Sequence, residues 1–181
     1  MKVIQAIDGD LYTKEIFCNV KSGQSVDADV ETDILKLVVL NRYRAKKPAV
    51  AFIRGFGLKR GALASSVAHD SHHIVAVGCD DLSLVEAINH IIDIKGGLVA
   101  CYQKNVIDLK LDIAGIMSSA GGEEVAGAYE RLNQAASQMG SVLTAPFMTL
   151  SFMALLVIPE LKLGDMGLFD VRQFDWTNLF A

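Results

Sequence analysis

Apolar positions along this chain alternate between two spacings, and the switches between them mark its elements. Val3–Ile7 reads as a strand, Asp8-Gly9-Asp10 as a turn, and Tyr12–Val20, with its β-branched and aromatic residues, as a second strand. Lys21–Asp29 is polar and reads as a loop. Asp33–Tyr43 fits two elements: Val38 and Val39 favour a strand, while the length allows a helix. Lys46-Lys47-Pro48 closes it. Ala49–Arg54 and Ile74–Gly78 are nearly unbroken apolar runs, the pattern of strands covered on both faces. Between them lie a glycine segment, Gly55–Gly61, a run of small residues, Ala62–Ala68, and the polar stretch His69-Asp70-Ser71-His72-His73.

The 3.6-residue period appears twice. In the first helix Asp81 is positioned to cap, and Ser83 with Glu86 has capping-box spacing. Leu84, Val85, Ile88, Ile91 and Ile92 then recur at helical intervals, and Lys95 with Gly96-Gly97 ends the helix. His90 lies four residues after Glu86, the spacing of an i, i+4 pair. Leu98–Tyr102 and Val106–Leu111 read as a hairpin around Gln103-Lys104-Asn105. A second helix is expected over Glu123–Met139, with Val125, Ala128, Tyr129, Leu132, Ala136 and Met139 on one face and Gly140 as its stop. Phe147–Ile158 is apolar but broken by Thr149 and Ser151. It falls well short of the ~20 residues that span a bilayer, so it reads as core. Interleaved strands and helices predict an α/β or α+β fold: a mixed β-sheet sandwich with at least two packed helices. The chain is also shorter than the ~250 residues typical of a (β/α)8 barrel, which is not expected. One domain over 1–181 is expected, with a small N-terminal β segment (1–45) leading into an α/β core (46–181).

Composition narrows the function classes. The 181 residues are 51% apolar, with mean hydropathy +0.33. Disorder is excluded, and a buried interface, such as that of a homo-oligomer, is expected. The net charge of −4 disfavours a nucleic-acid binder, which needs a basic face. Cys18, Cys79 and Cys101 form no C-x-x-C pair, which disfavours a zinc knuckle or a disulfide framework and suits a reducing cytoplasm. The N-terminus lacks the apolar region of a signal peptide, and no membrane partner is expected.

Two stretches could carry chemistry. The spacing Gly55-x-Gly57-xxx-Gly61 matches neither common phosphate-loop pattern and suits a turn needing positive φ or close backbone approach. Lys59 and Arg60 put two cations there. They form either a solvated pair or a contact for an anion or a partner surface. His69–His73 matches H-[DE]-x-x-H, but the flanking Ile74–Val77 looks like strand rather than the helix that would present both histidines to one zinc ion. No metal site is expected from this chain. Asp70 beside His69 can orient an imidazole for proton transfer or for hydrogen bonding to a heterocycle, with the hydroxyls of Ser65 and Ser66 and the ring of His72 nearby in sequence. The competing reading is a capped turn at a strand start.

Four stretches taken together resemble a known family: Gly55–Ala62, Ala64–His72, Ile113-Ala114-Gly115-Ile116-Met117-Ser118, and Pro146–Phe152 continuing to Val157-Ile158-Pro159-Glu160-Leu161. In this order they resemble the C-terminal domain of microbial adenine deaminases of the amidohydrolase superfamily, across nearly the whole chain. His73 departs from the resemblance, which carries asparagine there. The resemblance implies hydrolysis of adenine to hypoxanthine and ammonia by a complete enzyme whose metal-dependent barrel holds manganese or iron. The barrel's H-x-H ligand pair is absent here, so its metal ligands cannot be carried over and the isolated chain is expected to be inactive. What the resemblance places in this chain is a docking partner for that barrel. His69 and Asp70 are candidates for the pocket or for proton transfer, Ser65, Ser66 and His72 for substrate contact, and Lys59 and Arg60 for the interface. Two alternatives stay open: a stand-alone module for a purine or another small ligand, and a purely structural or oligomerisation domain.

Overall fold

The computed structural model describes residues 1–20 and 26–180, and part of the loop expected at Lys21–Asp29 lies outside them. Eight strands form one sheet: β1 (Lys2–Ala6), β2 (Thr13–Phe17), β3 (Leu35–Leu40), β4 (Ala49–Arg54), β5 (Ala62–Ser65), β6 (Ile74–Gly78), β7 (Gly97–Tyr102) and β8 (Asn105–Lys110). Their order is β2-β1-β4-β3-β6-β5-β7-β8. Only the β1–β4 pairing is parallel; the other neighbours run antiparallel. Three helices, α1 (Asp81–Asp93), α2 (Gly122–Gln138) and α3 (Pro146–Phe152), and a second sheet of β9 (Leu161–Gly164), β10 (Gly167–Asp170) and β11 (Asp175–Trp176) complete the fold. It is a mixed α+β architecture without a closed barrel.

Both faces of the central strands are covered, which explains their unbroken apolar sequences. On one face Leu84, Ala87 and Ile91 of α1 pack on Val38, Ala62, Ala64, Ile74, Ala76, Val99 and Cys101. On the other, the alternate residues Leu35, Leu37, Leu63, Val75 and Val77 meet Ala128, Leu132 and Ala136 of α2, Phe147 and Leu150 of α3, and Leu161, Leu163 and Leu168 of the small sheet. The period-2 alternation therefore sorts each strand between two cores. Asp33–Tyr43 resolves as strand β3, because residues of both parities are buried there. No single helical stripe could achieve that.

Several local expectations are corrected. The cap of α1 is Asp80, which accepts from the Ser83 amide at 2.8 Å and the Ser83 hydroxyl at 2.9 Å. Neither Asp81 nor a Ser83–Glu86 box serves, because the helix begins one turn too early for Ser83 to precede it. His90 pairs across the fold with Asp108 at 2.5 Å, not with Glu86, which approaches Cys101 instead. The β7–β8 hairpin closes through two residues, Gln103 and Lys104, both at positive φ, as a twisted two-residue turn requires. The small sheet was not legible: strands of four, four and two residues give alternation too little length to register.

Strand register gives the sheet two distinct ends. Leu40 faces Ile74, and Ser65 faces both Val75 and Leu98, at one end; Lys36 and Ala62 face Gly78 at the other. The loops after β3 and β5 and the start of β7 thus share the first end. The glycine segment after β4 lies at the opposite end.

Candidate functional site

The candidate site is the first end, built around the turn between β5 and β6. Ser65 and Ser66 are fully buried. The Ser65 hydroxyl accepts from the Val67 amide at 2.9 Å. The Ser66 hydroxyl donates to the Gly115 carbonyl at 2.5 Å and accepts from the Gly97 amide at 2.8 Å. Both serines hold backbone: Ser66 fastens the end of β5 to the start of β7 and to the 113–117 turn. That turn fits closely, since a Cβ on Gly115 would meet the Arg42 guanidinium at 2.5 Å and one on Gly96 would meet Gly115 itself at 2.4 Å.

Residues 69–71 form a turn, not a helix. The His69 amide donates to the Ser151 carbonyl at the end of α3, and the His69 ring stacks on Phe152 with centroids 4.8 Å apart and planes 22° from parallel. His72 meets the His69 ring edge-on at 5.5 Å. Its own φ of 49° turns the chain back into β6, a conformation that suits histidine better than a β-branched residue. His73 points elsewhere. Its Nε2 lies 3.9 Å from Asp165 and its ring 5.5 Å from Tyr43. Asp165, in the β9–β10 turn, also accepts from Asn41 at 2.7 Å and Lys46 at 3.3 Å. Arg42 lies over the Tyr43 ring and donates to its hydroxyl, which donates in turn to the Ser71 carbonyl.

The electrostatics keep both inner histidines neutral at pH 7. Burial, followed by the charges of His69 and Arg42, holds His72 below the usual imidazole range. Burial does the same for His73 against the pull of Asp165, with smaller contributions from Arg42 and Lys46. A neutral imidazole needs both a donor partner and an acceptor partner. Yet, among the described residues, the Nδ1 atoms of His72 and His73 and the Nε of Arg42 are buried without a hydrogen-bond partner, whereas α2 has one such atom, Asn133 Oδ1. Buried polar atoms are normally paired, so this concentration marks an end whose hydrogen bonding is incomplete within the chain. Around it Tyr43, Met117, Met148 and Met166 are more than half exposed.

Among the described residues, no three His, Cys, Asp or Glu side chains are arranged to hold a metal ion. The histidines of the 69–73 run turn to different neighbours, so the donor set here does not fit a metal centre. Among the described residues, no helix is long and apolar enough to cross a membrane.

Lys59 and Arg60 lie at the opposite end, away from the histidines. Lys59 donates to the Val30 carbonyl at 2.6 Å. Arg60 donates to the Gln138 carbonyl at the C-terminus of α2, where a cation is favoured, and lies over Tyr102. The amides of Gly55 and Gly57 both donate, at 2.8 Å, to the carboxylate of Asp33. The glycine segment is thus an anion cradle already filled from within the chain.

The sequence reading missed Arg42, Tyr43, Phe152, Asp165 and Asp33. All lie outside the histidine and glycine motifs, and all except Phe152 sit in loops or turns with no spacing signature. For Phe152 the available signal was its place four residues after Met148, which puts both on one side of α3.

Comparison with known proteins decides the family. The model for the adenine deaminase C-terminal domain matches residues 10–175. The chain belongs to this family. Proteins named adenine deaminase from Methanosarcina acetivorans and from Sulfurovum sp. are each 52% identical to it, over 100% and 98% of the chain respectively. One from Parabacteroides distasonis is 46% identical over 100% of the chain. The chain spans about a third of the length of these relatives: 33%, 32% and 33% in that order. Three of the four stretches that resemble the family, around 64–72, 113–118 and 146–152, meet at the histidine end through the Ser66–Gly115 bond, the His69–Ser151 bond and the His69–Phe152 stack.

Proposed function

We propose that this chain is the C-terminal auxiliary domain of an adenine deaminase, and that its histidine end docks on a metal-dependent barrel and forms part of the wall of the purine pocket. In this reading the complete enzyme converts adenine and water to hypoxanthine and ammonia. The barrel would hold manganese or iron, which would activate water for the hydrolysis, and the enzyme works as a homo-oligomer in the cytoplasm. The observation that carries the reading is the set of unpartnered buried atoms on His72, His73 and Arg42. A second domain, or the ring nitrogens and amine of a purine, would complete them. The half-exposed methionines and Tyr43 around these atoms supply adaptable apolar contact area.

Within this reading His69 and Asp70 are the proton-transfer candidates, His72 contacts the substrate, and Ser65 and Ser66 set the backbone that carries them. Lys59 and Arg60 bond to backbone at the opposite end, and nothing in the site calls on them. The test is the complete enzyme carrying His69→Ala or Asp70→Asn. A pocket role predicts a fall in kcat of about 100-fold with unchanged assembly and melting temperature. A purely structural role predicts lost stability with turnover per folded enzyme preserved.

A further inference from the structure

On the α1 side of the same sheet end lies a cleft of about 870 Å³, which shares Arg42 and Tyr43 with the proposed docking surface. Its floor is apolar: Ile74 and Ile91 are buried beneath it, and Ile92 is half exposed. Its rim carries Arg42, Arg44, Lys46 and Lys95, and no Asp or Glu lines it. Four of the chain's seventeen cations therefore converge on one concavity of a molecule whose net charge is −4. Local neutralisation is slight. Lys46 reaches Asp165, but neither Arg44 nor Lys95 joins an ion pair among the described residues. The C-terminus of α1 enters the cleft, where the amides of Ile94, Lys95 and Gly96 take the carbonyls of His90, Ile92 and Ile91, and the Lys95 cation stands against the negative end of the helix dipole. The Nε of Arg42 is buried and lacks a partner.

A volume of this size suits a small molecule, and a buried apolar floor with convergent polar groups is the usual form of a ligand site. We infer that this cleft binds a small organic anion, its phosphate or carboxylate held by Arg44 and Lys95 and its apolar body laid on Ile91, Ile92 and Ile116. Two sources share this chemistry, a nucleoside monophosphate and an aliphatic carboxylate, and the cleft recognises them through the same two features.

Titration calorimetry of the chain at low ionic strength, with adenosine monophosphate, octanoate and inorganic phosphate as probes, tests this. Saturable submillimolar binding of adenosine monophosphate or of octanoate is expected, and whichever binds more tightly identifies the source. Inorganic phosphate should bind at least tenfold more weakly, since it leaves the floor uncovered. Arg44→Ala with Lys95→Asn should weaken binding about tenfold or more; asparagine tolerates the left-handed φ of 64° at position 95. Lys59→Ala, a charge change at the far end, should leave it unchanged. Three results overturn the inference: no saturable binding of either organic anion, inorganic phosphate binding as tightly as they do, or binding insensitive to the Arg44/Lys95 pair. Binding by this chain that disappears in the complete enzyme would show the cleft to be a contact for an acidic protein segment, and would also overturn it.

Discussion

The two ends of the central sheet are built from similar material and finished differently. Each carries a polar loop that returns from a buried strand: Gly55–Gly61 at one end, Ser66–His73 at the other. At the glycine end the loop amides close on Asp33, Lys59 and Arg60 cap backbone carbonyls, and Val142 packs against Gly57. The amides of Gly55 and Gly57 are satisfied there. At the histidine end His72, His73 and Arg42 keep buried atoms without partners, and apolar side chains stand out around them. Glycine and lysine motifs attract attention in a sequence, yet here they serve the fold. The difference between the ends is the ground for the proposed reading: the histidine end is set apart by its unpartnered buried atoms rather than by residue type.

The comparison can be broken by substitution, and the glycine end should be the more sensitive. Asp33→Ala removes a charged acceptor from two amides, one of them on buried Gly57, and puts alanine at a left-handed φ of 57°; together these should lower the unfolding free energy of the chain by about 3 kcal/mol in urea titration. Loss of less than ~1 kcal/mol would mean that this end is not closed by that carboxylate. Between the ends, buried Lys162 makes one bond, to the Leu11 carbonyl, and burial pushes its pKa down to about 8, against the pull of Asp10. Below pH 8 the folded state carries the cost of the buried charge. From pH 8 to 10.5 the unfolded state binds the extra proton, so this residue makes stability rise with pH. Lys162→Met should therefore stabilise the chain by about 2 kcal/mol at pH 7, with the gain shrinking towards pH 10.

At the histidine end the effects on the isolated chain should be small. His72→Asn keeps a residue tolerant of the left-handed backbone and breaks no hydrogen bond of the ring, so denaturant stability should change by less than ~1 kcal/mol. The same change in the complete enzyme should impair turnover. A large loss of stability in the isolated chain would make this end structural like the other. The smallest effect concerns pH. The folded pKa values of His72 and His73 lie below the ordinary 6.5, so the unfolded state takes up protons first as pH falls. Their contribution to stability is present above pH 6.5 and is lost as pH drops towards the folded values. His73→Asn should flatten the pH dependence between 5 and 7, read as the difference in denaturation midpoint from the parent chain.

Much of this architecture was legible in the chain. The strands Ala49–Arg54 and Ile74–Gly78 and both long helices follow from local apolar spacing, which reports burial within one element. The small sheet did not show, nor did the pairing of His90 with Asp108. The first lacks length, and the second joins residues 18 apart through a helix-to-strand contact that no local spacing encodes. At the candidate site the His69–His72 motif was visible as residue types. Its surroundings were not. Arg42, Phe152 and Asp165 arrive from three separate elements, and the missing hydrogen bonds exist only once those elements are assembled. The roles of Lys59 and Arg60 were hidden for the same reason, since their partners are backbone carbonyls of Val30 and Gln138.

The central claim is that the histidine end is completed by another domain while the glycine end is complete already. Hydrogen–deuterium exchange, compared between this chain alone and the same residues within a complete enzyme, tests it most directly. The account predicts added protection confined to the loop at 66–73, with exchange at 55–61 unchanged. Equal exchange at both ends in the two proteins, or protection appearing at 55–61 instead, would contradict it.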